Sequence, residues 1–331
     1  MIVSLEAGAD AGAVLRALTE RGLWIRETER RADGSPAHFV IAAHSAAVSL
    51  ADLGAIAGVS SVTTGKSGTP LVEKQGPRVE VAGVKIGGGA RPAMMCGPCA
   101  VESEAQVRSI AERLGALGVA FLRGGAFKPR TSPYSFQGHG REALAWMRKA
   151  ADAAGMRVVT EALSEADVGA VAEHADLIQV GSRNMHNYAL LKAIGKTGRA
   201  ALLKRGLSAT IEEWLQSGEY LLAHGASAVV FCERGVRGFD DATRNILDLG
   251  AVALLAHVHA VPVIVDPSHG AGRRDLVLPL GRAALAAGAA GLMIETHPEP
   301  AKALSDGPQA IPLGEMDALL RRLASASEAS S

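Results

Sequence analysis

From Pro92 onward, short apolar runs recur along the chain and alternate with stretches of helical periodicity, such as Glu104 to Leu117 and Arg141 to Ala154. Eight of these runs have the composition of buried strands. Eight such strands alternating with helices over roughly 250 residues are typical of a (β/α)8 TIM barrel, an α/β fold. The runs are PAMM, VAFLRGG, RVVTEA, LIQVGSR, ALLKRG, AVVFCERG, VPVIVDPSHG and GLMIETHP.

A doubly wound parallel sheet is the competing α/β architecture. Its nucleotide-binding versions carry a glycine-rich turn directly after the first strand. In this chain the glycines of KIGGGARP stand before the first run, so no dinucleotide-binding motif occupies the required place. The pattern therefore favours the barrel.

The first 65 residues follow a different rhythm. Apolar alternation predicts strands at MIVSL, LWIRETE, HFVIAAH and VSSVTTG, with helices from Ala11 to Arg21 and from Leu50 to Ala57. The resulting order of strand, helix, strand, strand, helix and strand is that of a small ferredoxin-like α+β module.

Changes in composition mark the domain boundaries. Residues 66–76 are rich in glycine, threonine and charge and show no apolar period, which is typical of a linker. The run RVEVAGVKIG then alternates about Gly83 like a short hairpin. We predict a ferredoxin-like domain (1–65), a linker (66–76), a barrel domain (77–323) and a disordered tail (324–331).

The overall composition excludes some classes of partner. Lys plus Arg and Asp plus Glu number 34 each, so no global charge favours nucleic acid or an acidic membrane surface. The apolar runs are too short to span a bilayer, and MIVSLEAGAD carries no basic leader, so we expect a cytoplasmic protein. Three cysteines, Cys96, Cys99 and Cys232, are too few for a disulfide framework and are expected to be reduced.

Polar residues stand at the carboxyl end of each predicted strand, where barrel active sites form. Six are cations that would converge on one mouth of the barrel. Arginine binds phosphate and carboxylate groups through paired hydrogen bonds, and lysine adds a compact charge, so the mixture favours more than one anionic group. The alternative is that each is a surface charge paired with a neighbouring acid. The six are Arg123, Lys128, Arg130, Arg183, Lys204 and Arg234.

The segment AFKPRTSPYSFQG, residues 126–138, concentrates this chemistry. It places Lys128, Arg130, Thr131 and Ser132 around Pro129. Proline fixes its own φ and biases the preceding residue toward an extended backbone. The lysine and the arginine are therefore expected to face different ligands.

A second constellation combines a thiol, an imidazole and two carboxylates: Cys99, His269, Glu295 and Asp306. The first three follow strands one, seven and eight, which adjoin in a closed barrel, and the fourth lies on the next loop. This donor set suits Mn²⁺, Fe²⁺, Co²⁺ or Zn²⁺ better than Mg²⁺ or Ca²⁺, which prefer oxygen ligands alone. The alternative is a buried, inert cysteine and a histidine with a structural hydrogen bond.

In order along the chain, these motifs resemble those of 3-deoxy-D-arabino-heptulosonate 7-phosphate (DAHP) synthases. The sequence is most similar to the short type Iβ branch, which has an amino-terminal ferredoxin-like regulatory domain. The resemblance covers the chain except its serine-rich tail. It rests on MCGPCAVES, LRGGAFKPRTSPYSFQG, VVTEAL, GSRNM, LLKRG, CERG, VDPSHGAGRRD and IETHPEPAKALSDGPQ.

The resemblance implies that the protein condenses phosphoenolpyruvate (PEP) with erythrose 4-phosphate, at the entry to the shikimate pathway, and releases phosphate. It assigns the sugar phosphate to Arg130, Thr131 and Ser132 and a divalent metal ion to the Cys99, His269, Glu295 and Asp306 set. The residues that it assigns to PEP are Arg123, Lys128, Arg183, Lys204 and Arg234, and Gly181 and Ser182 complete the predicted substrate-binding residues.

In the implied mechanism the metal ion polarises the sugar aldehyde, C3 of PEP attacks the aldehyde carbon, water adds at C2, and phosphate leaves by C–O cleavage. Lys128 is expected to protonate the nascent alkoxide or to neutralise charge, and Glu161 to orient a lysine or a water. With Cys99, His269 and Asp266 they make up the predicted catalytic residues.

Two positions depart from the family pattern. Cys96 stands where the family usually has a small residue, and we expect it to pack silently. The alternatives are that it competes for the metal ion or oxidises with Cys99. Ser182 replaces the usual alanine before Arg183 and is expected to add a hydrogen bond near the phosphate.

Three alternatives remain open at this point. A related barrel, 3-deoxy-D-manno-octulosonate 8-phosphate synthase, uses arabinose 5-phosphate and carries a KANRT-type loop where this chain has KPRTS. A catalytically silent ligand sensor is disfavoured because every motif residue is present. The resemblance also implies a homotetramer with feedback control by tyrosine or phenylalanine, bound at an interface between the amino-terminal modules. The alternative is that the amino-terminal module serves only in oligomerisation.

Overall fold

The computed structural model describes residues 1–65, 67–128, 132 and 134–328. The chain divides into two compact units, one ending at Gly68 and the other beginning at Thr69.

The amino-terminal unit is a four-stranded antiparallel sheet with two helices. The strands lie in the order β2-β3-β1-β4, and the sequential order along the chain is βαββαβ. Both helices begin at capping side chains, since Asp10 accepts from Ala13 N and Ser49 from Asp52 N. This arrangement fits the predicted ferredoxin-like module. The elements are β1 (Ile2–Leu5), α1 (Ala11–Glu20), β2 (Ile25–Arg30), β3 (Pro36–Ile41), α2 (Leu50–Gly54) and β4 (Val59–Thr63).

The second unit opens with a short helix, α3 (Pro70–Gln75), inside the segment predicted to be a linker. Val72 is buried, and the Glu219 carboxylate accepts hydrogen bonds of 3.0 Å from Leu71 N and Val72 N. The prediction of a linker over 66–76 is therefore wrong for Pro70–Gln75. A helix of six residues is too short to reveal an apolar period, and its stabilising partner lies far along the chain.

After α3 comes the predicted hairpin, β5 (Arg78–Val81) and β6 (Val84–Gly87). The hairpin side chains Val79, Val81 and Ile86 are buried, and they pack against strand side chains in the interior of the barrel. Arg157, at the start of a barrel strand, donates to Ala82 O over 2.8 Å. The hairpin thus covers the amino-terminal end of the strands and leaves the carboxyl end for the site.

Within the described residues, eight parallel strands form a closed barrel, as predicted from the eight apolar runs. Each pairs with its neighbours in sequence, including Val265 with Leu292, and the last strand pairs with the first, with Leu292 opposite Met94, to close the ring. A two-residue strand, β15 (Ile311–Pro312), extends the sheet beside the last of them. The barrel strands are β7 (Ala93–Gly97), β8 (Phe121–Arg123), β9 (Arg157–Glu161), β10 (Leu177–Val180), β11 (Ala200–Lys204), β12 (Val229–Glu233), β13 (Val263–Val265) and β14 (Gly291–His297).

Helices surround the barrel and bury its outer surface. The largest apolar cluster joins outward side chains of the strands, such as Leu122 and Phe231, to helix residues such as Ile110, Leu144 and Trp214. No helix in the described ranges is long and apolar enough to cross a membrane. The helices are α4 (Glu104–Ala116), α5 (Arg141–Ala153), α6 (Glu165–His174), α7 (Tyr188–Gly195), α8 (Ile211–Ala223), α9 (Leu249–Ala253), α10 (Pro267–Ala271), α11 (Val277–Ala286) and α12 (Met316–Glu328), and a π-helical segment, Leu254–Val258, continues α9.

The last helix corrects the predicted tail. Because α12 runs to Glu328, residues 324–328 are helical rather than disordered, and residues 329–331 lie outside the described part. The sequence ASASE contains two alanines, the best helix formers, and it extends a helix already anchored by the buried side chains of Met316 and Leu323.

Candidate active site

A polar cavity of about 170 Å³ lies at the carboxyl ends of the barrel strands. Each strand from β8 to β12 contributes a side chain from its last residues or from the loop that follows. The lining residues are Arg123, Lys128, Glu161, Gln179, Gly181, Ser182, Arg183, Lys204, Leu207, Arg234, Arg244, Asn245, His269 and Asp306.

The cavity brings together five of the six predicted cations, while Arg130 lies outside the described residues. A further cation, Arg244, was missed by sequence reasoning. It sits in the middle of the long loop after β12, whereas the search considered strand ends. Among the described lining residues, only Glu161 and Asp306 supply carboxylates, so cations outnumber acids there. Such a cavity suits a ligand with several negative charges.

Three buried polar atoms of lining residues are without a partner among the described residues: Arg123 Nε, Ser182 Oγ and Arg234 Nη1. Arg234 is 7% exposed, and burial lowers the pKa of its guanidinium. A buried donor that lacks an acceptor is costly, so these atoms are suited to bonds with an oxygen-rich ligand. The predicted hydrogen bond of Ser182 to a phosphate stays a prediction.

The backbone beside Arg234 is held by a buried ion pair. Glu233 is fully buried and receives a 2.6 Å hydrogen bond from Gly235 N, which is possible because Gly235 adopts φ +92°. Arg205 Nη1 donates to Glu233 over 3.2 Å and to Asp248 over 2.8 Å. Arg205 is therefore a structural cation that fixes the loop from which Arg234 reaches the cavity.

Lys128 lies at the border between the cavity and the predicted metal ligands. Its Nζ donates to Cys99 O and to Cys99 Sγ, each over 3.0 Å. A Cβ at Gly125 would lie 2.7 Å from both Cys99 O and Lys128 Cδ, so glycine is needed for the lysine to fold back onto the cysteine. The charge of Lys128 is consequently fixed beside the thiol.

The four predicted metal ligands meet as one cluster. One donor atom from each of Cys99, His269, Glu295 and Asp306 lies within 4.8 Å of the others. His269 Nε2 is 3.3 Å from Glu295 Oε1 and 3.8 Å from Asp306 Oδ2, and Cys99 Sγ is 3.1 Å from the same Asp306 oxygen. This set of one sulfur, one nitrogen and two oxygens fits a divalent transition ion.

Asp266 fixes the orientation of His269. It is fully buried, and its Oδ2 lies 2.7 Å from His269 Nδ1 and 2.6 Å from Lys204 Nζ. Burial disfavours its charge, but His269 and Lys204 hold the pKa of this carboxyl well below its usual range. Since the carboxylate accepts the Nδ1 proton, the tautomer leaves the lone pair of Nε2 facing Glu295 and Asp306.

The pKa values of Cys99 and Asp306 are shifted in opposite directions. Burial raises the pKa of the Cys99 thiol to about 12, and the neighbouring Glu295 adds to the effect. Burial also opposes the charge of Asp306, but the hydrogen bond from Cys99 and the proximity of His269 lower its pKa to about 2. The thiol thus donates to a carboxylate, and a bound cation would replace that proton, because cysteine ligates metals as the thiolate.

Asp306 also has an unusual backbone conformation, with φ 53° and ψ 29° in the left-handed region. Aspartate tolerates this region better than most residues. Gly307 follows it, and a Cβ there would collide with Pro300 O. The turn delivers the Asp306 carboxylate to Cys99 and His269.

Glu161, at the end of β9, faces the cavity next to Gln179 of β10. Gln179 Nε2 donates to Glu161 Oε2 over 2.9 Å. A Cβ at Gly181 would collide with Glu161 Oε1. Gln179 was missed by sequence reasoning, although a glutamine within the buried run LIQV is itself a signal of a polar contact.

The remaining predicted residues are less closely tied to the cavity. Arg130 and Thr131 lie outside the described residues. Ser132 is exposed, accepts a hydrogen bond from Tyr134 N over 3.3 Å and is not part of the lining. Cys96 is fully buried in the apolar cluster between the barrel strands and the surrounding helices, which agrees with silent packing.

Comparison with known proteins places this site in a family. The sequence profile of the DAHP synthetase I family matches residues 66–330, which include all of the cavity and the metal-ligand cluster. The chain belongs to this family. It is therefore an enzyme that forms a carbon–carbon bond.

Curated proteins of related sequence resemble the chain over much of its length. A phospho-2-dehydro-3-deoxyheptonate aldolase of Thermotoga maritima is 52% identical over 233 residues, which cover 70% of this chain and 69% of that protein. A 2-dehydro-3-deoxyphosphooctonate aldolase of Acidithiobacillus ferrooxidans is 34% identical over 249 residues, 70% of this chain and 87% of that one.

Solved structures give the same result. The crystal structure of a DAHP synthase from Thermotoga maritima superposes with a TM-score of 0.77 at 40% identity and covers 99% of this chain and 97% of its own. A truncated form of the Thermotoga maritima enzyme superposes with a TM-score of 0.73 at 43% identity and covers 80% and 98% respectively.

The close approach of Gly181 to Glu161 yields a testable prediction. In the Gly181→Ala variant the new methyl group displaces the Glu161 carboxylate, and because a displacement of about 1 Å can cost about a hundredfold in rate, we expect kcat/KM to fall by about that factor. Steady-state kinetics measure the change. Gly169→Ala, on a helix with open space around the glycine, is the matched control and should keep wild-type kinetics. Equal kinetics in both variants would disprove a positional role for Glu161.

Proposed function

We propose that the protein condenses PEP with erythrose 4-phosphate and water to give DAHP and inorganic phosphate, in aromatic amino acid biosynthesis. The observation that carries the proposal is the contact between the cation-lined cavity and the metal-ligand cluster. Arg123, which lines the cavity, donates to Glu295 of the cluster over 2.8 Å, and Lys128 contacts Cys99. A PEP carboxylate and phosphate in the cavity would therefore lie beside the cluster.

The four-carbon sugar is favoured over the five-carbon sugar by the degree of similarity. The Thermotoga relative named a deoxyheptonate aldolase is 52% identical, whereas the relatives named deoxyphosphooctonate aldolases are between 30% and 34% identical. The KPRTS sequence supports the same choice, although its residues 129–131 lie outside the described part of the chain.

Cys99, His269, Glu295 and Asp306 would hold a divalent ion of the Mn²⁺, Fe²⁺, Co²⁺ or Zn²⁺ type. Bound there, such an ion supplies Lewis acidity toward an aldehyde oxygen. The protein contributes a preset histidine tautomer through Asp266, so that Nε2 is available as a donor before the ion arrives.

The cavity residues bind and orient PEP. Arg183, Lys204 and Arg234 supply cations to its carboxylate and phosphate. C3 of PEP then bonds to the aldehyde carbon, the sugar oxygen takes a proton, water bonds to C2, and the C2–O bond to phosphate breaks. Lys128 is placed to donate the proton or to neutralise the oxyanion, and Glu161, held by Gln179, is placed to orient the attacking water.

For the amino-terminal unit we propose a regulatory role, with tyrosine or phenylalanine as effector and a homotetramer as the assembly. Its support is the separate compact fold together with the resemblance described above. A passive role in oligomerisation is the alternative.

The proposed reaction predicts a clear preference between sugars. Purified protein, with Mn²⁺ present, should consume PEP rapidly with erythrose 4-phosphate and release one phosphate per PEP. The loss of PEP absorbance measures the rate. Arabinose 5-phosphate should give little turnover. Protein stripped with a chelator should be inactive until the ion is restored, since the chemistry needs a Lewis acid. Turnover with arabinose 5-phosphate alone would overturn the choice of substrate.

Replacement of Lys128 tests its role in proton donation. We expect the Lys128→Met variant to lose about 10²–10⁴-fold in kcat, the range usual for a removed acid or base, and to retain its circular dichroism spectrum. Lys149→Met provides the control, because Lys149 is exposed and pairs with Glu104 on the outer helices. A kcat for Lys128→Met within a few-fold of wild type would show that the lysine is dispensable.

Deletion of residues 1–68 tests the regulatory proposal. The shortened protein should keep its turnover and lose inhibition by tyrosine or phenylalanine, because the effector site would be removed with the amino-terminal unit. Initial rates at increasing concentrations of each amino acid measure this. Inhibition that persists unchanged after deletion would exclude the regulatory role.

A further inference from the structure

Gln309 lies behind the metal-ligand cluster and bonds directly to one of its carboxylates, Glu295. It is 3% exposed and ends a short 3₁₀ turn, Gly307–Gln309, that follows Asp306. Its Nε2 donates to Glu295 Oε2 over 2.6 Å, and its Oε1 accepts from Arg244 Nη1 over 3.0 Å. The orientation of the amide is fixed, because a carboxylate only accepts and a guanidinium only donates.

Arg244 continues this chain of hydrogen bonds to the second carboxylate of the cluster. The same Nη1 donates to Asp306 Oδ1 over 3.3 Å. A single relay therefore runs from Glu295 Oε2 through the Gln309 amide and the Arg244 guanidinium to Asp306 Oδ1. We refer to these two side chains, Gln309 and Arg244, as the carboxylate relay.

The relay divides the oxygens of each carboxylate between two tasks. Glu295 Oε2 and Asp306 Oδ1 are occupied by the relay. Glu295 Oε1 faces His269 Nε2 at 3.3 Å and accepts from Arg123 Nη1 over 2.8 Å. Asp306 Oδ2 faces Cys99 Sγ at 3.1 Å. One oxygen of each acid is thus turned toward the cysteine and the histidine, and the other is turned away.

We propose that Gln309 is a positioning residue that makes Glu295 and Asp306 each present a single oxygen to a divalent cation. This inference rests on the proposed metal centre. Single-oxygen binding by both acids, with one sulfur and one nitrogen, limits the protein to four donors. On an octahedral ion such as Mn²⁺ this would leave coordination positions for a substrate oxygen. Without the amide, Glu295 keeps the bond from Arg123 to Oε1 but loses the partner of Oε2, which can then turn toward the cation as a second donor.

The test is the affinity of the full-length protein for Mn²⁺, measured by the electron paramagnetic resonance signal of free Mn²⁺ during a titration. Gln309→Met keeps an unbranched side chain of similar size and removes both hydrogen bonds. Because outer hydrogen-bond partners of metal ligands typically contribute 10–100-fold to affinity, we expect the Kd of this variant to rise by about that factor. The Co²⁺ absorption spectrum should change in shape, which a loss of stability alone would not produce.

Gln75→Met is the matched control. Gln75 also makes two hydrogen bonds, to Val229 O over 2.9 Å and from Val229 N over 2.7 Å, but at the opposite end of the barrel. Its removal should lower the melting temperature and leave the Kd for Mn²⁺ unchanged. A Gln309→Met protein with the wild-type Kd and Co²⁺ spectrum would overturn the proposal.

The Gln309→Glu variant separates the orientation of Glu295 from the total charge near the cation. It also provides a second test if Gln309→Met does not fold. The new carboxylate adds negative charge near the cation but repels Glu295 Oε2 instead of donating to it. Positioning predicts a weaker affinity than wild type. A tighter one would mean that charge alone governs the site, and the proposal would be wrong.

Cys99→Ala distinguishes failure of the proposal from failure of the metal centre itself. If the wild type binds Mn²⁺ and Cys99→Ala binds it much less, the centre stands and the Gln309 variants decide the proposal. If wild type and Cys99→Ala bind equally or not at all, the proposed centre is wrong and the role of Gln309 is rejected with it.

Discussion

The buried pair of Arg123 and Glu295, with 2.8 Å between Nη1 and Oε1, is the contact on which the rest of the site depends. Both side chains are at most 5% exposed, and removing two charges from water is expensive unless the geometry is good and the remaining polar atoms are bonded. Glu295 meets that condition, because its other oxygen accepts from Gln309. The pair joins the cation-lined cavity to the metal-ligand cluster, so each half of the site fixes the position of the other.

Much of this arrangement could be predicted from the sequence, because the barrel imposes strong local patterns. A strand buried on both faces needs a continuous apolar run, and the chain carries eight such runs. The carboxyl ends of parallel strands lie at the same end of a barrel, so the sequence alone predicts that the polar residues there lie close together. Cys99, His269, Glu295 and Asp306 meet in the structure as this reasoning predicted.

Two of the missed features depend on a partner far along the chain. The helix Pro70–Gln75 is stabilised by Glu219, and Gln309 gains its role only because Arg244 arrives from another loop. Gln179 was passed over because an amide has no chemistry of its own that a motif search can follow. The local sign of Gln179 is a polar residue inside the buried run LIQV, which indicates a polar contact but not its partner.

The left-handed backbone of Asp306 places a second restriction on that position. A residue there must tolerate φ near 53°, which strains β-branched and most bulky side chains independently of any bond to a cation. The substitutions that the backbone accepts at low cost are therefore few, chiefly asparagine and glycine. We expect sequences that descend from this one and lack the metal ligand to carry one of those two residues. The turn would then keep its backbone conformation after the site itself was lost.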